Sequence, residues 1–218
     1  MTSPDLPFEN RHEAGRALAQ RLAGYGSDAL VFALPRGGVP VAVEVAKVLN
    51  ATLDVFVVRK LGAPGQPELA LGAVASGGVQ VLNDALVSHL GVSEAELEQV
   101  ATRERKELQR REQLYRGERA APNIKGRTVI VIDDGLATGA TMRAAVTALR
   151  QADPTKLVAA VPVAAPDTCE ALGEEVDEVV SVATPTPFYG VGRWYSNFRQ
   201  VTDDEVRALL EPSPSKLT

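Results

Sequence analysis

Four consecutive β-branched residues, Val129 to Ile132, constrain the fold of this 218-residue chain more than any other feature. Such a run predicts a strand buried on both faces, as in a parallel sheet that helices cover on each side. Two acids, Asp133 and Asp134, follow where the strand must end, and small residues then lead into a predicted helix, Met142 to Arg150. The segment therefore predicts a strand, a turn and a helix, with polar chemistry at the edge of a sheet.

The turn between this strand and helix has the composition of an anion site. Its small residues allow a ligand close to the backbone, and two hydroxyl groups lie beside the first helical amides; these residues are Gly135, Ala137, Gly139 and Ala140, with Thr138 and Thr141. A phosphate there would meet free amide hydrogens and the positive end of the helix dipole. The two acids before the turn are placed for sugar hydroxyls or a metal ion.

The segment Val129 to Thr141 resembles the ribose-phosphate signature of type I phosphoribosyltransferases, an aliphatic run and two acids before Thr-Gly-x-Thr. The resemblance implies that Asp133 and Asp134 are catalytic and contact the ribose hydroxyls of 5-phosphoribosyl 1-diphosphate. It also implies a Mg²⁺ cofactor, bound through substrate phosphates, water and one of these carboxylates. The 5′-phosphate would be held by Ala137, Thr138, Gly139, Ala140 and Thr141. From residue types alone, a generic turn whose acids cap a helix remains the alternative.

The rest of the chain alternates short apolar runs with amphipathic stretches, which predicts a doubly wound, mainly parallel α/β sheet. We expect a single domain over residues 1–211 and a flexible tail over 212–218. Ser93 to Arg116 predicts an inserted long helix, because a capping box opens a stretch rich in Glu, Arg, Lys and Gln. Its interleaved charges favour a solvated helix with i,i+4 ion pairs over a nucleic-acid surface.

A second turn resembles the pyrophosphate loop of the same family. It follows a predicted strand, Ala29 to Ala33, and reads Leu-Pro-Arg-Gly-Gly. The resemblance assigns Arg36 and the amides of Gly37 and Gly38 to the diphosphate. Residue types alone fit a plain turn equally well.

Two cations, Arg59 and Lys60, follow a predicted strand, Leu53 to Val58, and precede a Gly/Pro-rich loop, Leu61 to Pro67. The loop looks like the mobile lid of type I members, and the cations would be catalytic by neutralising the leaving diphosphate. The alternative is a pair of solvated surface charges. Two short strands, Ala73–Ala75 and Val79–Leu82, predict a hairpin beyond the lid.

Half of the ten aromatic residues lie within eleven positions near the C-terminus: Phe188, Tyr189, Trp194, Tyr195 and Phe198. They predict a hood over residues 184–200, in which Phe188, Tyr189 and Trp194 stack on a flat acceptor; a purely structural clamp fits equally well. Ala137 stands where members acting on 6-oxopurines carry an acid, which argues against hypoxanthine and guanine. By resemblance to adenine-type members, Glu68 is a candidate loop carboxylate for the base.

Composition limits the remaining classes. The net charge of −5 gives no general attraction to nucleic acid or to an anionic membrane. The single cysteine excludes an internal disulfide, and two histidines are too few for a metal cluster. The longest apolar stretch, Leu157 to Ala165, is too short to span a bilayer and the first fifteen residues lack an export signal, so we expect a cytoplasmic protein.

These features resemble the uncharacterised predicted phosphoribosyltransferases most closely. We expect an enzyme that transfers a phosphoribosyl group to a nitrogenous base or related acceptor and releases diphosphate, acting as a homodimer on small molecules. A non-catalytic regulator that binds phosphoribosyl diphosphate is the alternative, and it would need an output surface. A domain for an ordinary nucleoside monophosphate would leave the cations of the diphosphate site without a purpose.

Overall fold

The computed structural model describes residues 6–211. This part of the chain forms eight strands: β1 (Leu30–Ala33), β2 (Thr52–Val55), β3 (Val58–Ala63), β4 (Gln66–Ala75), β5 (Val79–Leu82), β6 (Thr128–Ile132), β7 (Lys156–Val163) and β8 (Glu178–Ala183). Its seven α-helices are α1 (Arg11–Arg21), α2 (Gly38–Leu49), α3 (Asp84–His89), α4 (Glu94–Arg116), α5 (Ala140–Arg150), α6 (Pro166–Gly173) and α7 (Asp203–Leu210). The predicted tail, 212–218, lies outside the described residues.

Five strands form a parallel sheet in the order β2-β1-β6-β7-β8, with β6 at its centre. Successive residues of β6 serve opposite faces. Val129 and Val131 pack in a core with α5 and α6, whereas Ile130 and Ile132 pack in a core with α1, α2, α4 and α7. All four are fully buried, so the doubly wound sheet predicted from this run is confirmed.

The second sheet is antiparallel, in the order β3-β4-β5. The prediction of one strand over Leu53–Val58 is wrong, because β2 ends at Val55 and β3 begins at Val58. The predicted lid loop, Leu61–Pro67, is also mostly strand. Gly62 permits this, since a Cβ there would lie 2.5 Å from the Pro67 carbonyl oxygen and would force the two strands apart. The hairpin between β4 and β5 is confirmed.

Helix α4 begins with the predicted capping box, in which Ser93 and Glu96 cap each other. It is more than a solvated helix, because Ala101, Leu108 and Tyr115 are buried where it packs against β3 and α7. Helix α4 therefore packs against the antiparallel sheet and supports it. No helix of the described residues combines the length and the apolar character that crossing a membrane requires.

Candidate functional site

The turns after β1 and β6 meet at the carboxyl edge of the parallel sheet. The Leu34 amide donates to the Ile132 carbonyl at 2.8 Å, which extends the pairing of the two strands into the turns. A Cβ on Gly38 would lie 2.5 Å from that same oxygen, and one on Gly37 would overlap Oδ2 of Asp134. The Arg36 turn therefore packs directly on the acid pair, as only glycine allows.

The turn after the acids, residues 135–141, forms what we call the cradle. Helix α5 begins at Ala140, two residues earlier than predicted, and its N-cap, Gly139, has a φ of +74°, which favours glycine. No side chain of the described residues caps this helix, so its first amides face outward. They open into a cavity of about 170 Å³ lined by Asp133, Gly135, Leu136, Ala137, Thr138, Gly139, Ala140, Thr141, Met142 and Val191. All five residues predicted to hold the phosphate thus surround one space.

The cradle is anchored to the neighbouring strand and helix. The Leu136 amide donates to the Val163 carbonyl at 2.9 Å, and the Ala165 amide donates to the Leu136 carbonyl at 2.8 Å. The Thr168 hydroxyl donates to the Ala137 carbonyl at 2.6 Å. These bonds hold the cradle backbone in place without using the amides that open α5, which remain available to an anion.

The two predicted ribose acids have different surroundings. Asp133 lines the cavity, and its Oδ1 accepts the Asp134 amide at 2.8 Å. Asp134 is not among the residues that line the cavity, and its Oδ2 accepts from Nε of Arg11 at 2.8 Å. Only Asp133 of this pair therefore lines the cradle cavity, and contact of both acids with one ribose stays a prediction.

Burial raises the pKa values of both acids, and the neighbouring Asp134 raises that of Asp133 further. The pKa of the Asp133 carboxyl lies well above its usual range, first because the group is buried and second because Asp134 is negatively charged beside it. Burial also raises the pKa of Asp134, against the opposing effect of the Arg11 guanidinium. The site therefore concentrates negative charge that a cationic ligand or metal ion would relieve.

Sequence reasoning missed Arg11, which is 8% exposed. The sequence pattern could have pointed to Arg11, because this residue shares the buried face of α1 with Ala14 and Leu18. An arginine on an apolar helix face requires a buried acceptor. The sequence does not identify that acceptor, since Asp134 lies 123 residues away.

The Arg36 turn places its arginine beside α7 and uses one of its amides internally. Nη1 of Arg36 lies 3.8 Å from Oδ1 of Asp203 at the start of α7. The Gly38 amide donates to the Leu34 carbonyl at 3.1 Å, which corrects the expectation that this amide is free for a diphosphate. The hydrogen bond from the Gly38 amide to Leu34 closes the turn from which α2 begins, so this amide is already used within the protein.

Arg59 and Lys60 lie within β3 rather than at the end of a strand, and they diverge. Arg59 bonds Glu104 of α4 through Nη2 at 2.7 Å and Nε at 3.0 Å. Lys60 instead lines a second cavity of about 270 Å³ between the antiparallel sheet and α5, to which Ala140 also contributes. Lys60 forms no ion pair with any residue between 6 and 211. Only one of the two predicted cations is therefore directed toward the cradle helix.

The candidate base carboxylate, Glu68, is an exposed residue of β4 close to the β3–β4 turn. It lines neither the cradle cavity nor the cavity beside Lys60. Its role for a base stays a prediction.

The aromatic residues of the hood divide into buried and exposed groups. Tyr195 is buried against Phe8, with ring centroids 5.9 Å apart, as the clamp interpretation expects. Phe188 and Trp194 stack on each other at 6.2 Å and are half-buried. Tyr189 is 78% exposed. Stacking of Phe188, Tyr189 or Trp194 on an acceptor stays a prediction.

The hood reaches the cradle through a residue that sequence reasoning did not select. Val191 lines the cradle cavity, and a Cβ on Gly135 would lie 2.5 Å from its Cγ1. Gly135 therefore provides the space that Val191 fills. The hood closes one side of the cradle with an aliphatic side chain.

No group of three or more His, Cys, Asp or Glu side chains that could hold a metal ion occurs within residues 6–211. A metal at this site would therefore take most of its ligands from a substrate and from water. Asp133 fits that requirement, since one of its oxygens accepts the Asp134 amide and the side chain faces the cradle cavity.

Comparisons with known proteins agree with this architecture. The phosphoribosyl transferase domain matches residues 8–190, and the chain belongs to that family. The Mycobacterium tuberculosis proteins MT0597 (strain CDC 1551 / Oshkosh) and Rv0571c (strain H37Rv), both provisionally named phosphoribosyl transferases, are 49% identical over 205 residues. These matches cover 94% of this chain but 46% of each relative, so the chain spans about half the length of the curated relatives it matches.

A solved structure is similar over nearly its whole length. The crystal structure of TT1426 from Thermus thermophilus has a TM-score of 0.83 and 45% identity, and the match covers 94% of this chain and 98% of that one. The predicted family and fold class are confirmed by these matches.

Proposed function

We propose that this chain transfers the 5-phosphoribosyl group of 5-phosphoribosyl 1-diphosphate to a nitrogenous acceptor and releases diphosphate. The observation that carries the proposal is the cradle cavity, where the uncapped start of α5 and the Asp133 carboxylate share one space. Amides at a helix start bind phosphate, and a carboxylate beside them binds sugar hydroxyls. Few ligands other than a sugar phosphate satisfy both requirements at once.

The substrate would lie along the edge of the sheet. Its 5′-phosphate accepts from the amides and hydroxyls of the cradle, including Thr138 and Thr141. Its ribose hydroxyls donate to Asp133. Its diphosphate lies toward Arg36 and Lys60, and Val191 of the hood covers the sugar.

The reaction requires no side-chain nucleophile. The acceptor nitrogen forms a bond to C1′ while the bond from C1′ to the diphosphate oxygen breaks, and that electron pair leaves with the diphosphate. Positive charge develops on the ribose in the transition state, close to Asp133, and negative charge develops on the leaving group, close to the two cations. The chain contributes position and electrostatic stabilisation.

Mg²⁺ is part of this proposal. Asp133 would hold the ion directly or through water, with the remaining ligands supplied by substrate oxygens. When bound, the ion would neutralise charge on the diphosphate.

Isothermal titration with phosphoribosyl diphosphate, with and without Mg²⁺, tests the proposal. We expect Asp133→Asn to weaken binding roughly 100-fold, because it removes charged hydrogen bonds to the sugar. Asp28→Asn is the matched control, since Asp28 lies before the amino end of β1, at the opposite edge of the sheet. No binding by the wild-type protein, or equal affinity in the Asp133→Asn variant, would exclude the proposed site.

Diphosphate release across a panel of bases and heterocycles then identifies the acceptor, and Ala137 predicts that 6-oxopurines react poorly. Tight Mg²⁺-dependent binding without release for any acceptor would favour the regulator instead. Size-exclusion chromatography with light scattering on the eluted protein tests the expectation that the chain forms a homodimer.

A further inference from the structure

The Asp134 carboxylate is enclosed by protein rather than presented to a ligand. Its side chain is 15% exposed, and its Oδ2 accepts from Nε of Arg11 at 2.8 Å. On another side it touches the Arg36 turn so closely that any Cβ on Gly37 would overlap it. The Asp134 backbone carbonyl accepts from the Tyr195 hydroxyl at 2.5 Å. Asp134 is thus held from α1, from the Arg36 turn and from the hood.

Arg11 holds the hood with its remaining groups. Nη1 donates to the Arg199 carbonyl at 2.9 Å, and the guanidinium carbon lies 4.0 Å from the centre of the Phe198 ring. The Tyr195 ring centre lies 5.9 Å away. One guanidinium therefore bonds the acid, the hood backbone and a hood ring.

These contacts join the parts of the site that lie far apart in the chain. Asp133 lines the cradle cavity, and its neighbour in the chain, Asp134, is the residue that Arg11 bonds. Val191, which closes the cavity, belongs to the hood segment that Arg11 bonds at residue 199. A loose Arg11 would let Asp133 and Val191 shift relative to each other.

We propose that Arg11 is a positioning residue of the phosphoribosyl site, acting through Asp134 and the hood without touching the substrate. The inference rests on the proposed function, because the ligand it positions is the diphosphorylated sugar. It gives the two acids different tasks: Asp133 contacts the ligand, and Asp134 anchors the parts that surround it.

The positive charge alone is not enough for this role. Nε and Nη1 donate in different directions, to a carboxylate and to a backbone carbonyl, and the planar group also lies on an aromatic ring. Lysine offers one compact ammonium group that cannot reproduce this fork. The lysine variant should therefore recover only part of the function.

The test compares Arg11→Met, Arg11→Lys and the control Arg16→Met, which changes an exposed arginine on the same helix. Titration with phosphoribosyl diphosphate and Mg²⁺ should show roughly 10- to 100-fold weaker binding for Arg11→Met, since small displacements of substrate-positioning groups have effects of that order. We expect an intermediate loss for Arg11→Lys and no change for Arg16→Met.

Two further measurements separate positioning from general damage. Inorganic phosphate, followed by the amide shifts of Gly139 and Thr141 in nuclear magnetic resonance spectra, should bind Arg11→Met as it binds the wild type, because the cradle is anchored to β7 and α6. In an Asp134→Asn background, Arg11→Met should cost less sugar affinity than it does alone, because the part of its effect that passes through the Asp134 carboxylate is already lost.

Each result of these experiments bears on either the role of Arg11 or the proposed function. Wild-type binding that Arg11→Met leaves unchanged overturns the inference alone, as does an equal loss from Arg11→Met in the wild-type and Asp134→Asn backgrounds. Loss of phosphate binding together with sugar binding also overturns it, because that result reports damage to the cradle. No binding by the wild type overturns the proposed function instead. Should Arg11→Met fail to fold, the same comparisons made with Arg11→Lys decide.

Discussion

The cradle, residues 135–141, and the β3–β4 hairpin, residues 58–75, were both expected to hold the diphosphorylated sugar, but their residues are arranged in opposite ways. In the cradle, consecutive residues curl around one cavity, because a turn that enters a helix directs successive amides at the same point. In the hairpin, Arg59 and Lys60 are also consecutive, yet one bonds α4 and the other faces α5. A strand separates neighbours onto opposite faces.

The comparison shows that the same spacing means different things on different backbones. Adjacent polar residues converge on a ligand when they lie in a turn before a helix. They divide between structure and ligand when they lie on a strand. Asp133 and Asp134, directly after β6, also differ in their contacts, since Asp133 lines the cradle cavity and Asp134 bonds Arg11.

The largest effect is expected at the base of the site, where the Arg36 turn packs on backbone. Gly38→Ala should lower the free energy of unfolding by about 3 kcal/mol, since the new Cβ would overlap the Ile132 carbonyl and neither backbone can move cheaply. Gly65→Ala at the β3–β4 turn has open space and should lose only about 1 kcal/mol, from its left-handed backbone. Urea denaturation measures both changes.

The control for this pair is Gly24→Ala, which has open space and no positive φ. It should be neutral or stabilising by about 0.4–1 kcal/mol. Equal losses at Gly38 and Gly65 would contradict the difference in packing between the two regions.

The second prediction concerns Arg59, the member of the Arg59–Lys60 pair that bonds Glu104 of α4. Arg59→Met should lower the free energy of unfolding by about 2 kcal/mol, because it leaves the buried Glu104 with only the weaker contact to Arg103. Adding Glu104→Gln should restore part of this loss. Affinity for phosphoribosyl diphosphate should change less than about 3-fold, as a structural role requires.

Arg110→Met is the comparison, because Arg110 forms an exposed pair with Glu107 on the same helix. Its effect should stay within about 0.5 kcal/mol. A large loss of ligand affinity with unchanged stability in Arg59→Met would show that Arg59 leaves Glu104 to bind the diphosphate.

The third prediction concerns Lys60, the member of the Arg59–Lys60 pair that lines the cavity beside α5. Lys60→Met should weaken binding of phosphoribosyl diphosphate about 10-fold, or about 1.4 kcal/mol, because it removes a cation beside α5 that balances the diphosphate charge. The effect should shrink at high salt. Lys106→Met, on the exposed surface of α4, serves as the control in the same titration, and an equal loss there would indicate a general effect of charge.

The smallest effect concerns the helix behind the hairpin. Tyr115 of α4 is buried and donates to Asp203 at 2.6 Å. Burial, and then the bond to Asp203, raise the pKa of Tyr115 to about 12, although Arg111 and Arg36 oppose the shift. Tyr115→Phe should cost about 1 kcal/mol at neutral pH, the value of one hydrogen bond.

The same group gives a pH dependence of defined sign. Because the folded pKa of Tyr115 exceeds the ordinary value of 10, its contribution is complete below pH 10 and is lost as the pH rises toward 12. Urea denaturation at pH 9 and pH 11 should show a smaller loss of stability for Tyr115→Phe than for the wild type. Parallel losses in the two proteins would contradict the assignment.

Much of the architecture follows from local patterns in the sequence. The β-branched run of β6, the capping box of α4 and the small residues of the cradle each predict their own element, because the physical cause lies within a few residues. The family signature also depends on consecutive residues. These features could be recognised without any knowledge of the tertiary structure.

Direction and partnership could not be recognised in this way. Arg11 meets Asp134, Arg59 meets Glu104, and Val191 fills the space over Gly135 only because distant segments pack together. A sequence states which charges exist, but pairing depends on which faces of two elements meet, and one strand residue more or less reverses a face. The sequence alone therefore predicts a sheet edge with the composition of a sugar-phosphate site, and the packing of α1, α4 and the hood decided which acid lines the cradle cavity and which cation pairs with Glu104.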